Sequence, residues 1–588
     1  MPDHIISLYR ARLEKEAGVV KKDWGGKLTV ALAYPNVYRL GMSNLGFQLV
    51  YRLLNERSDV VAERFFLPEG QEMSLYLQSG KALMSLESQT PLSRFDLLAF
   101  SLSFENDYPN ILKILDLGRI PLLSAERTPS HPFVLGGGII TFLNPEPLSA
   151  FFDLFLMGEA ESNLNAFLDL FMTHLSGTRD RESVLKILAS NMETLYVPAL
   201  YEPGYGSDGT LTSFTPRVAG IPEKIRVACL EPSGFREKPP PTSTILTPDT
   251  EFGDRMLVEL NRGCGRSCRF CAAGYVYRPP RIREEGLLRD AISHILEKHD
   301  KVGLLSPAVS DVPGVENLTG LILERGGHFS VSSLRADSLT PQLLAHLKRS
   351  GQKTVTIAPE AGSERMRRVI NKHLTRDQIM EAVRLIAKTE SFSLRLYFLL
   401  GLPTETREDV SEIVALVKGI KHHMVKESAP RGRIGQIRLS VNGFIPKPFT
   451  PFQWFPMDQV SSLKDKQKWL RKTLARQGGI KVSFDVPKWA YVQTLLSVGD
   501  RRVGDILARC HAYQGDWTKT LRHSQVNPDF FVYRPKGLDE RLPWDFIDHG
   551  IVKEYLMQEY RRALEEKESE VCRVGECFRC GVCAKASP

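Results

Sequence analysis

Short apolar runs alternate with amphipathic stretches along the first third of the chain. The alternation predicts strands at "KLTVALAYP", "FDLLAFSLS", "FVLGGG" and "LFLMGEAE", and helices at "GFQLVYRLLNER" and "YPNILKILDLG". Strands and helices in alternation predict a parallel sheet with crossover helices. We therefore expect residues 1–200 to form a doubly wound, Rossmann-like α/β domain.

A second alternating region starts near residue 251, after a stretch at 201–250 whose proline and glycine density predicts a linker. Six strands are predicted there, at "RMLVEL", "KVGLLSP", "HFSVSSL", "KTVTIAP", "SLRLYFLLGLP" and "IGQIRLSVNGFIP". With helices between them, residues 251–455 are expected to form a partial (β/α)6 TIM barrel, with its active site at the carboxyl ends of the strands. Residues 456–588 are expected to form a mainly helical and irregular C-terminal domain that contains the second cysteine group.

Composition places the chain among ordinary globular proteins. It has 588 residues, enough for about three domains, of which 42% are hydrophobic and 25% charged. No apolar run approaches the roughly 18 residues that a membrane-spanning helix needs. The polar N-terminus predicts a helix and lacks a signal-peptide pattern. We expect a cytoplasmic protein with no membrane partner, and the net charge of +8 is compatible with a polyanionic one.

The cysteines carry the first chemical signal. Seven of the nine lie in two groups, at 264/268/271 and at 572/577/580/583, whereas Cys229 and Cys510 stand alone. A disulfide framework spreads its cysteines through a small secreted chain, and local clusters in a large chain indicate metal. Both groups are therefore predicted metal sites.

The first group has the pattern Cys-x3-Cys-x-Phe-Cys, formed by Cys264, Cys268 and Cys271. A structural zinc site usually takes four protein ligands, so three thiolates on one loop are one short. Three thiolates can instead hold three irons of a cubane cluster and leave the fourth iron open for S-adenosylmethionine (SAM), whose radical chemistry belongs to the cofactors. A structural zinc turn is the alternative.

This spacing, with the aromatic Phe270 before the last cysteine, resembles the radical SAM superfamily. "TVTIAPEAGSERMRRVINK" and "LRLYFLLGLPTETREDV" are similar to the fourth and fifth strand motifs of its methylthiotransferase-like branch, and "FIPKPFTPFQW" to the sixth. The best match is the group that joins this barrel to an N-terminal cobalamin-binding-like domain. The resemblance implies a [4Fe-4S] cluster on the three cysteines, bound SAM and a reductant such as ferredoxin or flavodoxin.

The resemblance also implies SAM contacts at the ends of strands two to four, here at Ser306, Ser332, Ser333, Arg335 and Glu360. The family's Gly-Gly-Glu motif at the second strand end is absent, and "LLSPAVSD" stands there. Carboxylates are favoured at helix N-termini, so Glu360 is equally explained as a helix-terminal charge. Arg335 is equally explained as a salt bridge at the barrel rim.

Cobalamin would lie against small residues that follow the strands of the first domain, namely Asn36, Gly41, Ser43, Gly46, Gly136, Gly137 and Gly138. Related domains that ligate cobalt through histidine carry an Asp-x-His-x-x-Gly loop after the first strand. This loop has neither histidine nor aspartate, so we expect base-off cobalamin with no protein ligand from it. The alternative is a domain that has kept the fold and lost the cofactor.

The second cysteine group is formed by Cys572, Cys577, Cys580 and Cys583. Its x4 and x2 spacings occur in plant-type and bacterial ferredoxins, which predicts a second iron–sulfur cluster. Four thiolates also suit zinc, and a metal-free tail is a further alternative.

Two basic stretches are potential anion-binding surfaces. "YVYRPPRIR" places Arg278, Arg281 and Arg283 after the first cysteine group, where they could bind phosphate or carboxylate. Residues 462–481 form a basic helix that contains Trp469, a candidate RNA surface. In both cases the alternative is a solvated charged surface.

Together with these patterns, the resemblance implies an enzyme that forms a 5′-deoxyadenosyl radical and performs cobalamin-dependent methyl transfer to an unactivated carbon. Sulfur insertion or methylthiolation of RNA or protein is the alternative within enzymes. The alternative outside enzymes is a non-catalytic cobalamin or redox sensor, although a sensor has no need of an open iron. No catalytic side chain and no oligomeric state follow from the sequence.

Overall fold

The computed structural model describes residues 4–177 and 180–583, and it confirms the α/β class. The N-terminal sheet has the strand order β2-β1-β3-β4-β5-β6, with β1 to β5 parallel and β6 antiparallel. Its strands are β1 (Leu28–Tyr34), β2 (Val60–Phe66), β3 (Leu97–Ser101), β4 (Phe133–Gly137), β5 (Leu154–Leu156) and β6 (Leu195–Tyr196). The order 2-1-3-4-5 is that of flavodoxin-like sheets, whose ligands bind at the carboxyl edge where the strand order reverses.

Helices cover both faces of this sheet. They are α1 (His4–Leu13), α2 (Tyr38–Met42), α3 (Leu45–Glu56), α4 (Gly70–Ser79), α5 (Tyr108–Leu117), α6 (Ala160–Gly177) and α7 (Arg181–Asn191). The predicted helix at 46–57 is thus confirmed as α3. It begins there because the side chain of Asn44 accepts a hydrogen bond from the amide of Phe47.

Strand β2 was not predicted, because two charges interrupt its apolar run. Arg64 is fully buried and forms ion pairs of 2.6 Å with both Glu16 and Glu87. These carboxylates come from distant parts of the chain, and they neutralise a charge that the local pattern marks as exposed.

Residues 201–250, the predicted linker, contain regular structure. They form the antiparallel hairpin β7 (Tyr201–Tyr205) and β8 (Leu211–Pro216), the short strand β9 (Ile225–Arg226) and helix α8 (Pro232–Glu237). The strands β7 and β8 are half exposed and lie in a stretch rich in proline and glycine, so their sequence lacks the apolar pattern that predicts a strand.

The six predicted barrel strands are observed, as β10 (Met256–Glu259), β13 (Lys301–Leu305), β14 (His328–Val331), β15 (Thr354–Glu360), β16 (Ser393–Leu400) and β17 (Ile437–Gly443). They run parallel in two sheets, one with the order β10-β13-β14 and one that contains β15-β16-β17, and a bridge between Leu334 and Ile357 connects the two. An antiparallel ribbon, β11 (Asn261–Arg262) with β12 (Arg281–Ile282), follows β10. The helices of this region are α9 (Ala273–Val276), α10 (Glu285–Leu296), α11 (Val315–Glu324), α12 (Pro341–Arg349), α13 (Glu364–Val369), α14 (Arg376–Thr389) and α15 (Arg407–Ser428).

The sheet continues past the expected boundary at residue 455. Strand β18 (Ile480–Phe484) pairs in parallel with β17, and α16 (Val460–Ala475) connects the two. The remaining elements are α17 (Pro487–Val498), α18 (Val503–Ala512), α19 (Trp517–Arg522), α20 (Asp529–Val532), β19 (Ile547–Asp548), which pairs with β9, and α21 (Lys553–Leu564). The domain boundaries themselves stay a prediction.

The N-terminal sheet and the barrel face each other with their carboxyl edges. Glu105, which follows β3, accepts hydrogen bonds from Lys447, which follows β17, and from Gln493 at 3.0 Å. The side-chain amide of Asn144, beyond β4, donates to the carbonyl oxygen of Gly499 at 2.7 Å. None of the helices in the described ranges is long and apolar enough to cross a membrane.

Candidate active site

The first three cysteines lie on the segment 263–272, which we call the cysteine loop and which follows the first barrel strand. Gly263 begins the loop with φ +81°, and a Cβ there would lie 2.5 Å from the carbonyl oxygen of Tyr277. Only glycine allows this approach, which lets the chain return toward β12. The thiols therefore follow the carboxyl end of a barrel strand, where this fold places active sites.

A buried arginine holds the cysteine loop against the rest of the molecule. Arg269 donates hydrogen bonds to three backbone carbonyl oxygens and two side chains, those of Arg368, Val369, Lys567, Glu559 and Ser569. The side-chain amide of Asn371 donates to the carbonyl oxygen of Ser267 at 3.1 Å, where the backbone is left-handed with φ +57°. The loop conformation is thus fixed by residues 100 to 300 positions away.

The three thiols are free and partly shielded from solvent on the cysteine loop. Burial raises the pKa of Cys264, and burial raises the pKa of Cys271 to about 12, with the neighbouring Cys268 adding to both shifts. Over residues 4–177 and 180–583, no three His, Cys, Asp or Glu side chains converge on a single metal ion. The cysteines of a cubane cluster each bind a different iron and need not converge in this way. The donor set, three thiols on one loop, fits such a cluster.

Two cavities meet beside the cysteine loop. The barrel-mouth cavity, of about 340 Å³, is bordered by the loop and by the ends of the first three barrel strands. The sheet cavity, of about 410 Å³, extends from the carboxyl edge of the N-terminal sheet into the space between that sheet and α3 and α6. Both are bordered by Gly46, Leu49, Glu259, Arg262 and Tyr277, so the two form one cleft.

The cleft brings together five of the predicted cofactor residues. Ser306 and Ser332 line the barrel-mouth cavity, Gly137 and Gly138 line the sheet cavity, and Gly46 lines both. Their contact with a cofactor stays a prediction.

Four predicted cobalamin contacts lie elsewhere and have local roles. A Cβ on Gly41 would meet the ring of Phe66 at 2.4 Å, and one on Gly136 would meet Phe155 at 2.4 Å, so both glycines serve packing. Asn36 donates to Asp107 at 2.7 Å, and Ser43 donates to the carbonyl oxygen of Arg39 at 2.7 Å.

The charged residues predicted at the barrel rim are engaged with neighbours. Arg335 forms hydrogen bonds of 2.9 and 2.8 Å with Asp337, which is the rim salt bridge of the alternative explanation. Glu360 has φ +66° and lies 3.4 Å from Lys372. It is not a helix-terminal charge, since α13 is capped by Ser363. Its contact with SAM stays a prediction, as does that of the half-buried Ser333.

Sequence reasoning missed two asparagines in the cleft. The amide oxygens of Asn163, in the sheet cavity, and Asn261, in the barrel-mouth cavity, are buried and have no hydrogen-bond partner within the described residues. A buried acceptor without a partner costs about 1–3 kcal/mol, which a ligand donor would offset. The position of Asn261, two residues after β10, was an available signal.

The arginines after the cysteine loop are not a free basic surface. Arg281 lies 2.6 Å from Glu159 and Arg283 lies 3.1 Å from Glu259, and both guanidinium groups are buried. This corrects both expectations for these two residues, anion binding and a solvated loop. Their glutamates come from β10 and from the end of the N-terminal sheet, which local sequence does not reveal.

The basic stretch at 462–481 is helical only as far as Ala475, the end of α16, and it shows a solvated face. Lys466 pairs with Glu405 at 2.7 Å and with Asp458 at 2.8 Å, and Trp469 is 43% exposed. The structure is compatible with the solvated alternative, and an RNA contact stays a prediction.

The second cysteine group lies directly against the first. Residues 567–583, which we call the cysteine tail, follow α21, and the amide of Cys572 donates to the carbonyl oxygen of Gly265 at 2.8 Å. The amide of Val552 donates to the carbonyl oxygen of Cys580 at 3.0 Å, which fixes the far end of the tail. The sequence predicted both groups but not their contact.

Comparison with known proteins agrees with this architecture. A family model described as radical SAM proteins, N-terminal, matches residues 46–198, and the radical SAM superfamily model matches residues 258–417. An uncharacterized protein of Methanocaldococcus jannaschii is 30% identical over 481 residues, which cover 81% of this chain and 90% of that protein.

Two characterised proteins are more distantly similar. A tRNA-2-methylthio-N(6)-dimethylallyladenosine synthase of Desulforamulus reducens is 23% identical over 207 residues, or 31% of this chain and 45% of the synthase. The radical SAM methyltransferase TsrM of Kitasatospora setae, solved with tryptophan and a SAM analogue, has 15% identity and a TM-score of 0.45 over 72% of this chain and 75% of its own. At this score the likeness supports no statement about ligands.

The matched models cover the N-terminal sheet and the barrel that carries the cysteine loop, and the M. jannaschii relative extends the match over most of the chain. The chain belongs to the radical S-adenosylmethionine superfamily.

Proposed function

We propose that this radical SAM enzyme is a cobalamin-dependent methyltransferase that acts on an unactivated carbon. The observation that carries the proposal is the shared cleft, in which a cavity of a flavodoxin-like sheet opens onto the cavity beside the cysteine loop. A corrinoid at the sheet edge would then face a substrate held at the barrel mouth.

The cysteine loop would hold a [4Fe-4S] cluster through Cys264, Cys268 and Cys271. When bound, the cluster and SAM supply the 5′-deoxyadenosyl radical that gives the superfamily its chemistry. The chain's own groups orient SAM: the free amide oxygen of Asn261 accepts a hydrogen bond, and the hydroxyl of Ser332 can donate or accept one. A low-potential reductant such as ferredoxin or flavodoxin completes the system.

The sheet cavity fits part of a cobalamin. Its floor is apolar and formed by side chains of four strands, those of Val30, Leu32, Leu97, Ala99, Leu135 and Leu156. Its volume, about 410 Å³, suits one drug-sized group rather than a whole corrinoid. We infer that the nucleotide tail enters this cavity, with Asn163 as an acceptor for its polar groups, and that the corrin ring lies at the cleft.

Arg262 ties the two halves of the cleft together. It lies 2.8 Å from Glu161, at the start of α6, and 2.8 Å from Glu259, at the end of β10. Its next neighbour is Gly263, the first residue of the cysteine loop. Arg262 would therefore hold the cobalamin side and the cluster side in a fixed relation.

Methylthiolation of RNA is a second candidate, favoured by one observation. The cysteine tail lies in direct contact with the cysteine loop, so a centre on the tail could donate sulfur near the radical. The similarity to the tRNA-modifying synthase points the same way, over less than half of that protein's length.

The proposal is tested by anaerobic incubation of the reconstituted protein with dithionite and SAM. Release of 5′-deoxyadenosine is expected from either enzyme reaction and is not expected from a cobalamin or redox sensor. Mass spectrometry of RNA, protein and small molecules from a deletion strain then separates a missing methyl group from a missing methylthio group. A missing methylthio group on RNA would replace the methyltransferase proposal with the second candidate.

A further inference from the structure

A single backbone hydrogen bond joins the cysteine tail directly to the cysteine loop. The amide of Cys572 donates to the carbonyl oxygen of Gly265, and Gly265 is bonded directly to Cys264. A Cβ at Gly265 would lie 3.2 Å from the carbonyl oxygen of Cys572, so a larger residue would press against this contact. From the thiol of Cys572 to the thiol of Cys264, the path consists of covalent bonds and this single hydrogen bond.

A buried positive charge without a carboxylate partner lies at the same junction. Arg278 is 6% exposed and donates hydrogen bonds to the hydroxyl of Ser267, at 2.8 Å, and to the carbonyl oxygen of Gly274. The rings of Tyr275 and Tyr555 flank its guanidinium at 4.6 and 5.1 Å. Arg278 also lines one cavity together with Phe578 and Cys583 of the cysteine tail.

This arginine differs from the other buried arginines of the described chain. Eight arginines there are buried, and seven have a carboxylate oxygen within 4 Å, namely Arg64, Arg127, Arg181, Arg269, Arg281, Arg283 and Arg367. Arg278 alone of the eight has none. Buried charges are normally paired, because an unpaired one costs several kcal/mol. Cysteines that bind metal do so as thiolates, so a metal centre on the tail would bring the missing negative charge.

We propose that Cys572, Cys577, Cys580 and Cys583 hold an iron–sulfur centre, that Arg278 is its counter-ion, and that electrons reach the cysteine loop through it. The centre takes one electron from a low-potential donor protein, which is oxidised by one electron. It then returns to its oxidised state by passing that electron to the centre on the cysteine loop, and no proton or bond is exchanged. This inference rests on the proposed function only in requiring a reducible cluster on the loop.

Metal content gives the first test. The full chain, reconstituted anaerobically with iron and sulfide, should contain about eight irons if both centres are cubanes, and C577A/C583A about four. C510A, which removes a cysteine on α18 that borders neither cysteine group's cavity, is the control and should keep the wild-type value. One zinc per chain in protein purified without added metal, lost in C577A/C583A, would overturn the proposal.

The electron donor gives the second test. With reduced flavodoxin, C577A/C583A should release 5′-deoxyadenosine at least tenfold more slowly than the wild type. With dithionite, which can reach the loop cluster directly, the two should differ by less than about threefold, a rate factor of little energetic weight. Equal rates with flavodoxin would refute the electron path and leave the proposed function intact. If the wild type itself fails with dithionite, the proposed function fails instead.

Substitution of Arg278 gives a third test that does not depend on turnover. R278Q removes the positive charge, so reduction of the tail centre becomes less favourable and its midpoint potential should fall in an electron paramagnetic resonance titration. R278K keeps the charge and should stay nearer the wild-type potential. A merely structural role for Arg278 predicts similar potentials in both variants, and that result would exclude it as counter-ion.

Discussion

The guanidinium of Arg269 lies 3.1 Å from the carboxylate of Glu559, and both groups are buried although 290 residues separate them. Arg269 stands between Cys268 and Cys271, whereas Glu559 belongs to α21, just before the cysteine tail. The loop that is expected to carry the chemistry is therefore supported by the end of the chain. Its geometry is a property of the assembled protein rather than of the local motif.

The first prediction removes the carboxylate of this pair. E559Q leaves Arg269 buried without a counter-ion, and removing one partner of a buried pair costs about 3–5 kcal/mol. We expect a lower thermal unfolding midpoint and weaker retention of iron on the cysteine loop. Calorimetry and an iron assay after desalting measure the two effects. E554Q, at an exposed position on the same helix, is the control, and equal behaviour of the two variants would contradict the role of the pair.

The second prediction concerns the loop cysteines. Alanine at Cys264, Cys268 or Cys271 removes one of three thiolates and should abolish release of 5′-deoxyadenosine from SAM. The thermal midpoint of the metal-free protein should change little, because Arg269 and Asn371, not the thiols, hold the loop. C510A, which removes a cysteine outside both groups, tests for a general effect of cysteine loss on activity. Continued release of 5′-deoxyadenosine by any of the three loop variants would refute the cluster assignment.

Local pattern was sufficient where apolar residues run uninterrupted or recur with the period of the helix or strand. The strand β1, the helix α3 and the six barrel strands follow from apolar periodicity, and the Cys264–Cys271 spacing follows from cluster chemistry. Strand β2 escaped because the charges of Glu63 and Arg64 interrupt it. Those charges are buried with partners that only the tertiary fold supplies.

The cysteines of the site could be predicted from the sequence, but the residues that pack around them could not. Nothing local to Arg281 shows that Glu159 will neutralise it, and nothing local to Cys572 places it beside Gly265. Such contacts join residues more than 100 positions apart, and packing determines them. Asn261 is the exception, since a polar residue just after a barrel strand could have been singled out.

The third prediction uses the pH dependence of stability. His549 donates to the carbonyl oxygen of Phe142 at 2.6 Å, and its ring contacts the rings of Phe142 and Phe449 edge to face. Burial lowers its pKa to about 4. Because the folded-state pKa lies below the unfolded value of about 6.5, stability from neutral His549 is present above pH 6.5 and is lost as the pH falls toward 4.

The loss in the free energy of unfolding amounts to at most about 3 kcal/mol, and the partial exposure of His549 reduces it. H549Q can keep the hydrogen bond and cannot acquire the charge. Its thermal midpoint should therefore fall less than that of the wild type between pH 6.5 and 4.5. H511Q, at a histidine paired with Asp116 at 3.4 Å, is the control. If the thermal midpoint of the wild type fell with pH in parallel with that of H549Q, His549 would be excluded as the source of acid sensitivity.

The last prediction concerns cobalamin. Gly137 lines the sheet cavity at the end of β4, and the nearest atom to an added Cβ there is 4.0 Å away. A leucine would therefore extend into the cavity without disturbing the sheet. If the nucleotide tail occupies this space, G137L should weaken cobalamin binding by about tenfold or more, or about 1.4 kcal/mol. G25L, at an exposed glycine with nothing within 4 Å of an added Cβ, is the matched control.

The measurement is the visible spectrum of protein that has been incubated with hydroxocobalamin and desalted. The wild type and G25L should retain corrinoid absorbance, and G137L should lose most of it. No histidine lines the sheet cavity in the described part of the chain, so the cobalt(II) form should give a base-off electron paramagnetic resonance signal without coupling to a nitrogen ligand. Nitrogen coupling would disprove the base-off state. Failure of the wild type to retain any corrinoid would remove the basis for cobalamin-dependent methyl transfer and leave SAM cleavage unaffected, because that reaction requires the centre on the cysteine loop and not cobalamin.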